Sequence, residues 1–194
     1  RKIQLVLVAL IVLILSAFKA DHVITIYMIG DSTMSNKPLE GNNQERGWGH
    51  VLGSFFTEDV RVENHAMNGR SSKSFIDEGR WETVVNKIRP GDYVFIQFGH
   101  NDEKPQPERH TDPGTTFDEN LRKFVRETRA KGGIPVLFNS IVRRNFGVNP
   151  DAVAADDIRP EKDEAVVEGD TLIDTHGKYL ESPRNVAKEM DVCF

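Results

Sequence analysis

Ser32 stands just past the apolar run 23–29, in the tripeptide Gly30-Asp31-Ser32. A short β-branched run that stops at a glycine is a buried strand entering a tight turn. The hydroxyl is then presented at the C-terminal edge of a sheet, where open α/β folds place their chemistry. Two more runs end in similar tips: 61–67 leads into Asn68-Gly69, and 92–98 into Gly99-His100-Asn101-Asp102. Three such tips in succession point to one shared site. A serine hydroxyl is a weak nucleophile until a base takes its proton, and the attacked ester then develops an oxyanion that needs preorganised donors. Ser32 offers the nucleophile and, with its backbone N–H, one donor. Gly69 offers a backbone N–H that no side chain screens, and Asn101 offers a side-chain amide. Each position also has an ordinary structural reading: Ser32 as a turn residue or helix cap, Gly69 as a loop glycine, Asn101 in an Asx-turn. Asp31 reads as an acceptor that organises the loop, not as a catalytic acid.

With these residues in view, the chain resembles the SGNH (GDSL-type) hydrolases. Gly30-Asp31-Ser32-Thr33, Asn68-Gly69 and Gly99-His100-Asn101-Asp102 look like that family's first three signature blocks. The longer strings Ile29-Gly30-Asp31-Ser32-Thr33-Met34, Ala66-Met67-Asn68-Gly69-Arg70-Ser71 and Gln97-Phe98-Gly99-His100-Asn101-Asp102 are similar to the rhamnogalacturonan acetylesterase-like branch. Segments 45–49 and 140–146 also suit that branch, and the likeness runs over roughly residues 23–194. The resemblance gives Ser32, Gly69 and Asn101 the roles that their chemistry suggests. It implies a three-layer α/β/α sandwich on a parallel sheet ordered 2-1-3-4, with no cofactor and no metal.

A serine hydrolase also needs a histidine base oriented by a carboxylate. In the family both come from an Asp-x-x-His motif near the end of the domain, and no such motif follows residue 140. The nearest approach, Asp174-Thr175-His176, has one intervening residue instead of two. It also precedes a helix over 179–190 and the start of a further strand at 191–194. The expectation is a C-terminally truncated sequence, with the Asp-His pair past Phe194 and the last strand incomplete. His176 then reads as a solvated loop histidine, with the base as the alternative role. The resemblance uses the position of His100 to shape the pocket.

A parallel sheet with helices on its faces follows from the alternation of strands and helices along the chain. Helices are expected over 47–56, 74–88 and, most clearly, from Thr115 to the Gly132-Gly133 stop. In the last of these, Phe117, Leu121, Phe124, Val125 and Thr128 share one face, Thr115 caps, and Asp118 stands three residues on. The fourth strand is 134–138. Two polar segments, 103–114 and 145–170, leave the catalytic edge and read as walls of a substrate groove or as solvated linker. Arg143 and Arg144 stand at the mouth of the fourth strand, able either to pair with uronate carboxylates or to bridge to nearby acidic residues.

The chain has 194 residues, 38% hydrophobic and 28% charged, which is one domain's worth of ordinary globular sequence. A net charge of −5 argues against a nucleic-acid or anionic-membrane partner. One cysteine, Cys193, excludes an internal disulfide framework. Arg1 and Lys2, then the apolar stretch 3–15 and small residues at 16–17, read as a signal peptide. Residues 1–20 are assigned to it and 21–194 to the hydrolase domain, giving a secreted or periplasmic protein. The apolar run is short for a spanning helix. The expected activity is removal of acetyl groups from a plant-type polysaccharide such as rhamnogalacturonan. The alternatives are another acyl esterase or lipase, or a catalytically incomplete sugar-binding relative. Polar loops favour carbohydrate over lipid, and Met34, Met67 and Phe98 are expected to crowd the acyl pocket down to a methyl group.

Overall fold

Side chains alternate across the first strand, β1 (Ile24–Gly30), and so divide the interior in two. Tyr27 and Ile29 join one apolar cluster, Ile26 and Met28 another. The computed structural model describes residues 23–143, 146–147, 171–172 and 175–194. Next come β2 (Val60–Asn64), helices α1 (Ser72–Asp77) and α2 (Arg80–Val85), then β3 (Tyr93–Gln97). Helix α3 (Thr116–Ala130) and β4 (Ile134–Phe138) follow. Strands β5 (Phe146–Gly147) and β6 (Thr171–Leu172) form a small antiparallel pair, and α4 (Glu181–Met190) closes the series.

The main sheet is ordered β2-β1-β3-β4 and is parallel throughout, as expected. Because every strand runs the same way, all four exit loops leave at one edge. Where a fifth strand was expected from Asp191, that residue is the left-handed cap of α4, and a single isolated bridge follows it. Val136 bridges Cys193 in parallel, and Leu137 N–H donates to Cys193 O at 3.0 Å. Cys193 is an exposed free thiol.

The two faces are covered unequally. Phe75 of α1, Trp81 and Val84 of α2, Phe117, Leu121 and Phe124 of α3, and Val186 of α4 pack with Val94, Ile96 and Leu137 on one side. The other side is covered by Trp48 and Leu52, set against Met28, Val62 and Phe95. Residues 47–56 were expected to be one helix; they form two short 3₁₀ turns, Trp48–His50 and Leu52–Phe55. Gly49 explains the tightness, since a Cβ there would lie 2.6 Å from Met34 O. The expected helix 74–88 is divided as well. Ser71 caps α1 through a capping box with Ser74, and Gly79 at φ 70° turns the chain into α2. The apolar face of α3 is buried as expected. Its cap differs, because the Asp118 carboxylate accepts from Gly114 N–H while the Thr115 hydroxyl turns back to Asp112 O.

Residues 1–22, most of 145–170, and Arg144 lie outside the described residues, so the leader and Arg144 readings are not addressed by the fold. Among the described residues no helix is long and apolar enough to cross a membrane.

Candidate active site

Ser32 sits on the turn that follows β1, and Asp31 holds that turn in shape. The buried Asp31 carboxylate accepts from Thr33 N–H at 2.9 Å and from the Thr33 hydroxyl at 2.8 Å. Its carbonyl accepts from Met34 and Ser35 N–H. Gly30 has to be glycine, since a Cβ there would come within 2.5 Å of Gln97 O on β3. Asp31 is thus the organising acceptor that its position suggested.

Hydrogen bonds across the sheet edge bring the three loops together. Asn68 Oδ1 accepts from Ser35 Oγ and Lys37 Nζ, both at 2.6 Å, joining the β2 exit to the β1 exit. Met67 N–H donates to Gly30 O at 3.0 Å. Asn101 is 2% exposed and donates one amide hydrogen to Arg70 O at 3.1 Å, joining the β3 exit to the β2 exit. Asparagine has a second amide hydrogen, so a donor remains for a ligand. Gly69 lies at φ 74° with open space where a side chain would stand. Among the described residues, no hydrogen bond occupies the backbone N–H of Ser32 or of Gly69, or the Ser32 hydroxyl.

Beneath Asn101 lies Asp102, fully buried and not singled out by its sequence position. Its carboxylate accepts from Ser72 N–H and Oγ, Gly99 N–H and Thr111 Oγ1, which tethers three segments to one point. Burial pushes its pKa up to about 7, against the pull of the Ser72 and Thr111 hydrogen bonds. Gly99 needs its φ of 141°, and a Cβ there would strike Ser140 Oγ.

Histidine placement corrects one expectation. His176 is not solvated: it is 3% exposed, its Nδ1 lies 2.7 Å from Glu103 Oε2, and its ring stacks on His100 at 4.5 Å. The turn Gly177–Leu180 and α4 pack over the helix-bearing face and carry this histidine inward. A carboxylate beside Nδ1 is the arrangement of a catalytic base, yet Nε2 faces Ile141 O at 3.1 Å, and no described residue bonds the Ser32 hydroxyl. His100 donates from Nε2 to the same carbonyl at 2.6 Å. Burial lowers its pKa, against the attraction of Asp31.

Arg143 bridges to an acidic neighbour, one of its two open readings. Its Nη2 reaches Glu103 Oε1 at 2.5 Å and His100 O at 3.2 Å. The crowding expectation is also corrected. Met34 is fully buried and Phe98 is 1% exposed; both belong to the core clusters, and of the three only Met67 reaches the surface, at 37%. The turn after β1 folds Met34 under the sheet, while Phe98 follows the inward alternation of β3.

A hollow of about 900 Å³ lies elsewhere, lined by Thr25, Tyr27, Glu63, Lys87 and Asp92 among others. Thr25 stands near the start of β1 and Asp92 just before β3, while Tyr27 and Glu63 lie further along β1 and β2, and Ser32 is not part of the lining. Lys87 already pairs with Glu63 there, and Asp92 already accepts from Thr25 and Arg89 N–H. These charged side chains are thus already engaged, whereas the open backbone donors stand at the Ser32 edge, where the candidate chemistry is sought.

Rhamnogalacturonan acetylesterase RhgT of Bacillus subtilis (strain 168) is 38% identical over 169 residues, covering 87% of this chain and 62% of RhgT. The probable rhamnogalacturonan acetylesterase YesY of the same organism is 40% identical over 128 residues, 66% of this chain and 57% of YesY. The chain thus spans about three fifths of the length of these curated relatives. Among solved structures, protein YxiM from Bacillus subtilis superposes with a TM-score of 0.64 at 27% identity, covering 88% of this chain and 42% of YxiM. Esterase EstA from Pseudoalteromonas sp. shares the fold, with a TM-score of 0.56 at 18% identity over 87% of this chain and 74% of EstA. With residues 28–190 matching its description throughout, and a serine turn, a glycine and an asparagine held at one sheet edge, the chain belongs to the GDSL-like lipase/acylhydrolase family.

Proposed function

We propose that the protein is a carboxylic ester hydrolase that removes acetyl groups from a polysaccharide, with Ser32 as nucleophile. The observation that carries this reading is the set of donors around that serine. The N–H groups of Ser32 and Gly69 are not taken up by the described fold, and the Asn101 amide is held at the same sheet edge through Arg70 O. Ser32 Oγ attacks the acetyl carbonyl as a base removes its proton. The oxyanion is held by the three donors, and its collapse expels the sugar oxygen, which takes the proton back from the base. Water then cleaves the acetyl-enzyme by the same path. The base is proposed to come from chain outside residues 1–194, because Nε2 of His176 is turned to Ile141 O. The sugar substrate is supported by the names of RhgT and YesY and by the polar character of the exit loops. Rhamnogalacturonan, in which neutral rhamnose alternates with galacturonate, is the substrate assigned. Residues 1–20 are proposed to act as an export signal, with 21–194 belonging to the hydrolase domain.

In the full-length protein, Ser32→Ala is expected to abolish acetate release while leaving the circular dichroism spectrum unchanged. Asn101→Ala is expected to lower kcat by roughly 10²–10³, the usual loss of one oxyanion donor. Full activity in Ser32→Ala would reject the nucleophile. A preference that rises with acyl chain length would replace the polysaccharide by a lipid.

A further inference from the structure

Between α1 and segment 103–115 the surface sinks into a second hollow of about 390 Å³ that has Gly69 in its wall. Arg70, Asp77, Glu78, Glu108 and Arg109 supply its charged lining. Its carboxylates each have a cation nearby. Asp77 pairs with Lys73 at 3.0 Å, and Glu78 takes Arg80 at 2.5 Å and Arg70 at 3.1 Å. Those arginines hold Glu78 below its ordinary range, with Arg80 the larger influence. Glu108 and Arg109 approach only to 3.9 Å, beyond hydrogen-bond reach, and no described residue accepts from the Arg109 guanidinium. That side chain is only 25% exposed, so it is a half-buried set of donors facing a hollow lined by three carboxylates and two arginines.

We propose that this hollow is a glycosyl subsite for an uncharged, hydroxyl-rich sugar ring, neighbouring the ring whose acetyl group meets Ser32. The inference rests on the polysaccharide reading above and deepens it. Arg109 donates to ring hydroxyls, and the paired carboxylates accept from them. The volume falls within the range of small-molecule sites. A uronate would add a negative charge to a lining that already sets three carboxylates, Asp77, Glu78 and Glu108, against two arginines, at a cost in repulsion. On a rhamnogalacturonan chain, the neutral rhamnose occupies this subsite.

Calorimetric titration of the full-length protein with deacetylated rhamnogalacturonan oligosaccharides tests this, alongside turnover of p-nitrophenyl acetate. Arg109→Ala is expected to raise Kd about 10-fold, the loss of charge-assisted hydrogen bonds, with p-nitrophenyl acetate turnover unchanged. The penalty is expected to hold within about two-fold between about 50 mM and about 500 mM salt, since a hydroxyl contact is little screened. No penalty, or no binding by the wild type, overturns the subsite. A penalty that vanishes in high salt overturns its uncharged character and assigns a uronate instead. Oligosaccharide binding with the expected penalty, but no wild-type ester hydrolysis, would reject the esterase reading and leave the subsite standing.

Discussion

Asp102 shows how one buried side chain governs a site it does not enter. Four donors from Ser72, Gly99 and Thr111 converge on its carboxylate, directly behind Asn101. Its pKa is raised from 3.8 to about 7, so the protonated form is favoured on folding. The stability this group contributes is therefore complete below pH 3.8 and is lost as pH rises toward about 7. Asp102→Asn is neutral at every pH and turns an amide hydrogen toward Gly99 N–H, a mismatch of about 1–3 kcal/mol. In urea unfolding, the gap between wild type and variant is expected to widen from about pH 8 to about pH 5. A gap that narrows instead would mean that the hydrogen bonds outweigh burial and keep the group ionised.

Between elements, the exit loops of β3 and β4 are tied to the approach to α4 by Glu103. This carboxylate meets both His176 and Arg143 and is only 16% exposed. Glu103→Gln leaves two cationic or donor-rich side chains without their anion, at an expected cost of about 1–3 kcal/mol. Since His176 does not touch Ser32, kcat on p-nitrophenyl acetate is expected to change by less than about three-fold, a difference of well under 1 kcal/mol in barrier height. A collapse of kcat with a new pH dependence, at unchanged stability, would make His176 the base and Glu103 its orienting carboxylate.

At the scale of the whole molecule, a parallel sheet collects every exit loop at one edge, so residues from four loops can share one reaction centre. The described part of that edge holds the proposed nucleophile and its proposed oxyanion donors, and no described residue bonds the Ser32 hydroxyl. Residues 1–194 produced alone are expected to turn over p-nitrophenyl acetate at least about 10²-fold more slowly than the full-length protein, the lower range of a general base. His176→Ala in that fragment is expected to slow it no further. Turnover by the fragment equal to that of the full-length protein, and lost in His176→Ala, would reverse the assignment.

The sequence by itself determined the sheet. The alternation of strands and helices set the parallel layout, and the family resemblance supplied its order. Strand-length apolar runs ending at Gly30, Asn68-Gly69 and Gly99 located Ser32, Gly69 and Asn101 on the exit loops, because such signals are local in the chain. The face of α3 was legible for the same reason, and so was the return of the chain to the sheet beside β4, which is a single bridge at Cys193. Tertiary structure alone decided what depends on distant partners. Asp102 became the tether of the edge because Ser72 and Thr111, 30 and 9 residues away, fold against it. His176 went inward because Glu103, 73 residues earlier, receives it. Met34 was lost to the core because the turn after β1 folds beneath the sheet, a matter of packing that no local pattern encodes.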